Sequence, residues 1–139
     1  MTPKDKLAAV IDRYRSHPEF LGMDIVDVNQ PGAVDDRLLH IAASTGAIED
    51  IEVLVSAGAS INVPGDLGYT PLHAAAMGAH LSSVRKLLDL GADPLLTNEF
   101  GETPAKVAQQ LGHIEIARFL EQHIRNARIA SRTEERDTN

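Results

Sequence analysis

The residues of this chain that most resemble a chemical site are two histidines, His40 and His73, which lie 33 residues apart. His80 and His113 recur at the same spacing. Imidazole nitrogens are common metal ligands, so imidazoles repeated at a fixed interval raise the hypothesis of a metal site. That hypothesis has to be weighed against a structural role for the same rings.

Other catalytic motifs are missing from the sequence. It contains no cysteine, which removes disulfides, thiolate catalysis and cysteine-based zinc sites and suits a reducing compartment. No specific carboxylate pair, serine–histidine–aspartate order, glycine-rich phosphate loop or His-x-x-x-His motif is found. Gly65 and Gly68 flank two residues in a pattern that predicts a hairpin tip. We therefore predict no enzyme activity, no catalytic residue and no cofactor.

The charge of the chain is negative and unevenly distributed. The net charge is -7 over 139 residues, and residues 1–123 hold 9 Lys or Arg against 17 Asp or Glu, whereas residues 124–139 hold 4 against 3. Such a field repels nucleic acids and anionic membranes and speeds encounters with basic surfaces. The apolar stretch Leu7 to Ile11 is too short for a signal peptide or a membrane span. We expect a cytoplasmic protein that binds neither nucleic acid nor membrane.

An internal repeat with a period of 33 residues organises most of the chain. Residues 35–42, 68–75 and 101–108 align without insertion or deletion, and Gly58-Ala59-Ser60 aligns with Gly91-Ala92-Asp93. A fixed period of this length is typical of repeat proteins, in which successive units stack and bury a continuous core.

The aligned residues resemble the ankyrin repeat, whose signature includes the helix start seen here as Thr70-Pro71-Leu72-His73. The resemblance covers roughly residues 32–122. It implies an all-α, ankyrin-type helical solenoid whose helix pairs are joined by β-hairpin-like loops, and it implies binding rather than chemistry. We divide the chain into a divergent amino-terminal capping repeat (1–31), ankyrin-like repeats (32–123), and a helical extension with a disordered tail (124–139).

Local signals place the helices of the middle repeat. Thr70 is expected to cap a helix that begins at Pro71 and ends near Met77. A second helix is expected from Leu81 to Leu90, ended by Gly91. Stacking predicts apolar columns of matching side chains: Leu39, Leu72 and Ala105; Ala42, Ala75 and Ala108; Ile51, Val84 and Ala117; Leu54, Leu87 and Leu120.

The two ends of the stack are expected to differ from its middle. Leu7 to Ala9 would belong to the first helix of the divergent repeat, and Pro18 would open a short second helix through Met23. Polar residues suit the exposed carboxy-terminal end, and the basic residues that follow would form one stripe if the last helix continued. This stripe is interpreted as a solvated helix face or frayed tail, and the alternative is that it docks onto the acidic body of the same chain. The polar residues are Lys106, Gln109 and Gln110, and the stripe is Arg125, Arg128, Arg132 and Arg136. Disorder is expected from Ser131 onward.

The resemblance also implies a role for the histidines. In the ankyrin family the histidine of the helix start binds the turn around it and ties adjacent loops together. His40 and His73 are interpreted in this way, and His80 and His113 as further ties between loops. No metal ligand is therefore predicted.

The loop tips carry the strongest surface signal. The period places Val34, Leu67 and Phe100 in one row and Asp36, Tyr69 and Glu102 in another. Apolar residues beside carboxylates are typical of a protein interface. Positions at the ends of the first helices line the concave groove in the resembling family. The predicted partner-binding residues are Val34, Asp36, Ser44, Asp66, Leu67, Tyr69, Met77, Glu99, Phe100, Glu102 and Gln110. The alternative is that the apolar row only packs one hairpin against the next.

The predicted function is a protein–protein interaction module, working as an adaptor or scaffold for a partner with a basic surface. Acidic residues of the tips would steer the encounter, while Leu67, Tyr69, Met77 and Phe100 would form the desolvated centre. The alternative is a dedicated inhibitor, such as the immunity partner of a bacterial toxin, that covers an active site. An enzyme with an unrecognised site is the third hypothesis. The protein is expected to be a monomer.

Overall fold

The computed structural model describes residues 1–137, with the side chains of 135–137 excluded, and within this range it contains helices and no strand. The helices are α1 (Pro3–Tyr14), α2 (Leu38–Thr45), α3 (Ile48–Ser56), α4 (Pro71–Met77), α5 (Leu81–Asp89), α6 (Pro104–Gln110) and α7 (Ile114–Asp137), with a short 3₁₀ turn at Asp66–Gly68. None of these helices is both long enough and apolar enough to cross a membrane.

The helices form two layers of stacked pairs. Helices α2, α4 and α6 lie side by side in one layer, and α3, α5 and α7 lie side by side in the other. Each pair packs internally, as α2 does with α3. The predicted all-helical solenoid is confirmed, because each repeat shields the apolar sides of its neighbours.

The predicted columns form the core. The alanine column is fully buried, as is the leucine column of the outer layer, and the other two columns are buried as well. Ala75 has no exposed surface, so a larger side chain there would displace a neighbouring helix.

The helix starts and ends of the middle repeat follow the sequence signals. The Thr70 hydroxyl accepts a hydrogen bond from the backbone N–H of His73 at 3.3 Å, and Pro71 takes the first helical position. Gly91 has a φ of +102° and follows the end of α5, as the equivalent Gly58 follows α3 with a φ of +101°. Because left-handed backbone favours glycine, these two residues end their helices.

The third repeat lacks this glycine, and its second helix continues. Ile124 occupies the position of Gly58 and Gly91, and α7 runs through it to Asp137. The predicted extension is therefore helical as far as the described residues reach. Disorder was expected from Ser131, whereas the helix includes residues 131–137; residues 138 and 139 lie outside the described range. The stretch from Ile124 holds no glycine or proline to stop a helix.

The amino-terminal cap differs from the predicted helix pair. Helix α1 packs against α3 in the outer layer, and Arg13 and Tyr14 both bind the Asp50 carboxylate. The short second helix predicted from Pro18 through Met23 is wrong, because these residues form successive turns with hydrogen bonds from Phe20 N to His17 O and from Met23 N to Phe20 O. The turns bury the Phe20 ring completely.

Candidate functional site

Three projecting loops share one geometry. Each loop is closed by a backbone hydrogen bond across five residues: Gly32 N to Asp36 O at 2.7 Å, Gly65 N to Tyr69 O at 2.8 Å, and Asn98 N to Glu102 O at 3.0 Å. The donors and the acceptors each recur every 33 residues, so the tips follow one another along the stack. These are the hairpin-like loops that the resemblance implied.

Buried histidines tie each loop to the next. Nε2 of His40 lies 2.9 Å from Tyr69 O, and Nε2 of His73 lies 2.8 Å from Glu102 O. Nδ1 of His40 accepts from Arg37 N at 3.0 Å, and Nδ1 of His73 accepts from Thr70 N at 3.1 Å. Since Nδ1 accepts, Nε2 carries the proton and donates to the carbonyl of the following loop. The predicted role of these two histidines as loop ties is confirmed.

Both of these rings are held in the neutral form. Burial lowers the pKa of His40, with the charge of Asp36 opposing the shift and that of Arg37 reinforcing it. Burial also lowers the pKa of His73, against the opposing effect of its hydrogen bond and charge interaction with Glu102. Each ring uses both nitrogens in hydrogen bonds, which leaves no lone pair for a metal ion. Among the side chains of residues 1–134, no group of three or more His, Asp or Glu is arranged to hold a metal.

His80 and His113 do not act in the same way. Neither ring makes a hydrogen bond to a described residue, so the interpretation of both as hydrogen-bonded ties is wrong. The His80 ring instead packs over Gly46 of the preceding repeat, where a Cβ would lie 2.8 Å from its Nδ1. Gly46 thus makes room for this ring and also adopts a φ of +76°.

The predicted apolar row is exposed at the tips. The exposed fraction is 50% for Val34, 46% for Leu67 and 64% for Phe100, and none of the three joins the hydrophobic core. About half of Val34 and of Leu67 and nearly two thirds of Phe100 are open to solvent. The alternative, in which these side chains only pack one hairpin against the next, stays a prediction.

Leu67 also has an unusual backbone. Its φ of 53° and ψ of 24° are left-handed, a conformation that costs a residue other than glycine roughly 1–2 kcal/mol. Leu67 O accepts a hydrogen bond from Glu99 N at 3.0 Å, which holds the second loop against the third. An exposed leucine kept in this conformation is a feature that stability alone does not explain.

Several of the predicted acidic residues have structural contacts. Asp36 Oδ1 accepts from Asp66 N at 3.0 Å and so joins the first loop to the second. Glu102 Oε1 accepts from the Asn98 side chain at 3.1 Å within its own loop. The carboxylates of Asp66 and Glu99 are on exposed residues. The acidic tips therefore combine loop stiffening with negative charge.

A groove of about 520 Å³ lies beside the first two loops. It brings together six predicted residues, namely Asp36, Ser44, Asp66, Leu67, Tyr69 and Met77. The other five lie outside its lining, namely Val34, Glu99, Phe100, Glu102 and Gln110. Tyr69 stands edge-on to the His73 ring, with centroids 5.5 Å apart. The predicted surface is therefore a groove near the amino-terminal end plus a row of tips that extends beyond it.

Six lining residues are outside the predicted partner-binding set: four belong to α2, to α4 or to the end of α4, namely His40, Ile41, Ala74 and Gly78, and two belong to the amino-terminal cap. His17 and Glu19 border the groove from the turns of the amino-terminal cap. Glu19 Oε2 accepts from Val34 N at 3.2 Å and its carbonyl accepts from Ala33 N at 2.8 Å, which fixes the turn beside the first loop. Both residues precede the segment that resembles the repeat, which begins at about residue 32, so the repeat pattern carried no signal for them.

Comparison with known proteins agrees with this architecture. The family model described as ankyrin repeats (3 copies) matches residues 39–133, which is more than half of the chain. No curated protein matches the chain.

Proposed function

The chain belongs to the ankyrin-repeat family, whose repeats generally serve as protein–protein interaction modules, and from this premise we propose that it binds a protein with a basic surface through the loop tips and the adjoining groove. The observation that carries this proposal is the exposed row of Val34, Leu67 and Phe100 beside a groove bordered by carboxylates. Exposed apolar side chains next to polar groups are the surface type that association buries.

The charge of the groove supports a cationic partner. Glu19, Asp36 and Asp66 line it, and no Lys or Arg does. Carboxylates around a concave surface raise the local concentration of cationic groups and accelerate association. The apolar tips would then determine how long the complex lasts, because their burial has to be reversed on dissociation.

The conformation of Leu67 gives independent support. The residue holds a left-handed backbone at an exposed tip, where glycine or asparagine would be more stable. Backbone strain of this kind clusters at binding and catalytic sites, where the surrounding structure maintains it. A leucine at the tip supplies apolar contact area that a smaller residue would not.

The test begins with identification of the partner by capture from the source lysate and mass spectrometry. Surface plasmon resonance then compares two variants. Phe100→Ala should weaken binding by roughly 2 kcal/mol or more, mainly through faster dissociation, because hot-spot aromatics act in this way. Asp36→Asn should mainly slow association at low salt, since the amide oxygen keeps the hydrogen bond to Asp66 N while the charge is removed.

A matched control is Arg118→Ala, which removes an exposed side chain of α7 away from the tips and the groove. It should leave both rate constants unchanged. Equal and negligible effects of Phe100→Ala and Asp36→Asn would place the binding surface elsewhere.

The inhibitor role is a second candidate, favoured by the carboxylate-lined groove, which suits the cationic active site of an enzyme. It predicts one stoichiometric enzyme partner, a sub-nanomolar complex and loss of that enzyme's activity on binding. An adaptor should bind more weakly and leave the activity of its partners unchanged. Titration of the captured partner's activity with the purified protein separates these two roles.

A further inference from the structure

The carboxy-terminal end of the stack departs from the repeat at two positions. Asn29 and Asn62 bind the backbone of the following repeat, through hydrogen bonds from Ser60 N to Asn29 Oδ1 at 2.7 Å and from Asp93 N to Asn62 Oδ1 at 2.9 Å. The next residue in this series is Leu95. Ile124 likewise stands where earlier repeats have glycine. An end of the stack that faces water needs neither Leu95 nor Ile124, because polar side chains at these two positions would also cover the last repeat.

These two residues create a basic and apolar end face. Leu95, with 52% of its surface exposed, and Ile124 border a groove of about 450 Å³ together with Ala127, Arg128, Ser131 and Arg132. A second groove of about 410 Å³ shares Leu95, Ile124 and Arg128 and continues past Arg125 to Lys106. We call the lining of both grooves the C-face.

The C-face is positively charged on an acidic protein. Four cations line it, and Glu121 is the one carboxylate among the described lining residues. None of these four cations forms a salt bridge with another residue in the described part of the chain. The structure places three residues of the predicted arginine stripe on this face, namely Arg125, Arg128 and Arg132. The side chain of the fourth, Arg136, lies outside the described residues.

One segment at the opposite end of the stack has the complementary character, whereas residues 1–15 at that end, which include α1, hold four Lys or Arg against two Asp or Glu. The segment 16–36 precedes the first repeat helix and contains five carboxylates and no Lys or Arg. Leu21 is 71% exposed, Met23 38% and Val26 86%, and the exposed Asp24 and Asp27 lie among them. We call residues 21–27 the N-face.

In place of the monomer expected from the sequence, we propose that the N-face of one copy docks on the C-face of a second copy, so that the protein associates head to tail. Opposite charges attract the two faces, and burial of Leu21 and Val26 against Leu95 and Ile124 stabilises the contact. The two faces lie at opposite ends of the stack, so each added copy leaves one of each kind free. A heterologous contact of this kind extends into chains unless a ring closes. The loop tips Leu67 and Phe100 take no part in it.

Sedimentation velocity of the purified full chain over a wide concentration range tests the proposal. At low salt the average mass should rise with concentration past that of a dimer. Added salt should reverse the association, because screening weakens contacts between exposed charges. A monomer at every concentration and at low salt would overturn the proposal, and would mean that the C-face has a different occupant or none.

Charge reversal identifies the faces. The variant R128E/R132E makes both ends acidic, and the variant D24K/D27K makes both ends basic. Each variant alone should lose at least about tenfold in association constant, because like charges would face each other. An equimolar mixture should associate again, since the acidic ends of one variant meet the basic ends of the other. Restoration by mixing also shows that both variants are folded.

Two controls separate local contacts from general effects. K4E/R118E changes the net charge as much as R128E/R132E does but touches neither face, so it should associate almost as the wild type does. The variant Phe100→Ala should also self-associate as the wild type does, because Phe100 lies on neither face. Self-association and binding of a protein partner at the loop tips can therefore fail independently of each other. Loss of association in K4E/R118E, or a mixture of the two reversed variants that stays monomeric, would overturn the assignment of the faces.

Discussion

Acidification should destabilise the stack through His40 and His73, which are buried and hydrogen-bonded at both ring nitrogens. Burial lowers the pKa of both residues in the folded protein. The unfolded chain therefore takes up protons first as the pH falls below about 6.5, the ordinary histidine pKa. The stabilising contribution is complete above that pH and is lost as the pH falls toward the folded pKa.

The magnitude follows from linkage. Each histidine that titrates only in the unfolded state lowers the free energy of unfolding by at most about 1.4 kcal/mol per pH unit. Two such residues give a limit of about 2.8 kcal/mol per pH unit. This is a large share of a typical total stability of roughly 5–15 kcal/mol. The carboxylates contribute little between pH 7.5 and 5.5, because their ordinary pKa values lie near 4.

Urea unfolding followed by circular dichroism at several pH values between about 7.5 and 5.5 measures this effect. The variant His73→Phe keeps a ring in the site but leaves Thr70 N–H without its acceptor, at about 1–3 kcal/mol. It also removes one of the two donors to Glu102 C=O, which keeps the hydrogen bond from Asn98 N. It should be less stable at pH 7.5 and should show a shallower pH dependence. His113→Gln is the control, because its ring makes no hydrogen bond to a described residue, and it should keep the wild-type slope.

Two results would refute this reasoning. The first is a wild-type free energy of unfolding that stays constant from pH 7.5 to 5.5, which would mean that the buried rings bind protons as readily as the unfolded chain does. The second is an unchanged slope in His73→Phe. That outcome would assign the acid sensitivity to other histidines and remove the loop ties from the stability of the stack.

Three further substitutions test the packing and the backbone. Ala75→Leu should lower the free energy of unfolding by roughly 1–3 kcal/mol through overpacking, and a thermal melt equal to that of the wild type would contradict the close approach of α4 to its neighbours. Ala79→Gly should raise stability by about 0.5–1 kcal/mol, because Ala79 has a φ of 59° where the equivalent Gly46 and Gly112 are left-handed glycines; urea unfolding that shows no gain would argue against strain there. Asn62→Leu copies Leu95 and should cost about 1–3 kcal/mol in the same assay, since Asp93 N would lose its acceptor; a neutral result would show that the inter-repeat hydrogen bond is replaceable.

The repeat interior was predictable because its determinants are local or recur at a fixed interval. Thr70 and Pro71 start a helix through their own backbone and hydroxyl chemistry, and Gly91 ends one through its conformational freedom. The 33-residue period then places equivalent side chains in contact without any knowledge of the fold. Within the repeats, His80 and His113 show the limit of this reasoning. They recur at the same period as His40 and His73, yet neither ring makes a hydrogen bond to a described residue.

The candidate surface was predictable only in part. The rows of loop tips came from the period, and the structure places Val34, Leu67 and Phe100 as exposed side chains. The contribution of His17 and Glu19 to the groove required the three-dimensional arrangement of the cap. The left-handed backbone of Leu67 also had no sequence signal, since leucine rarely adopts it.

The amino-acid sequence by itself determined the helical stack and its apolar columns, because in a solenoid each unit contacts near-copies of itself at a constant separation along the chain, and the resemblance to ankyrin repeats implied the histidine ties. Only the tertiary structure decided what happens outside the three aligned repeats, where the 33-residue pattern stops and other segments cover the last layers. There α1 joins the outer layer, turns replace a helix beside the groove, and Leu95 meets the extended α7. Contacts of this kind depend on shape and burial between segments that share no repeat pattern, so spacing along the chain does not encode them.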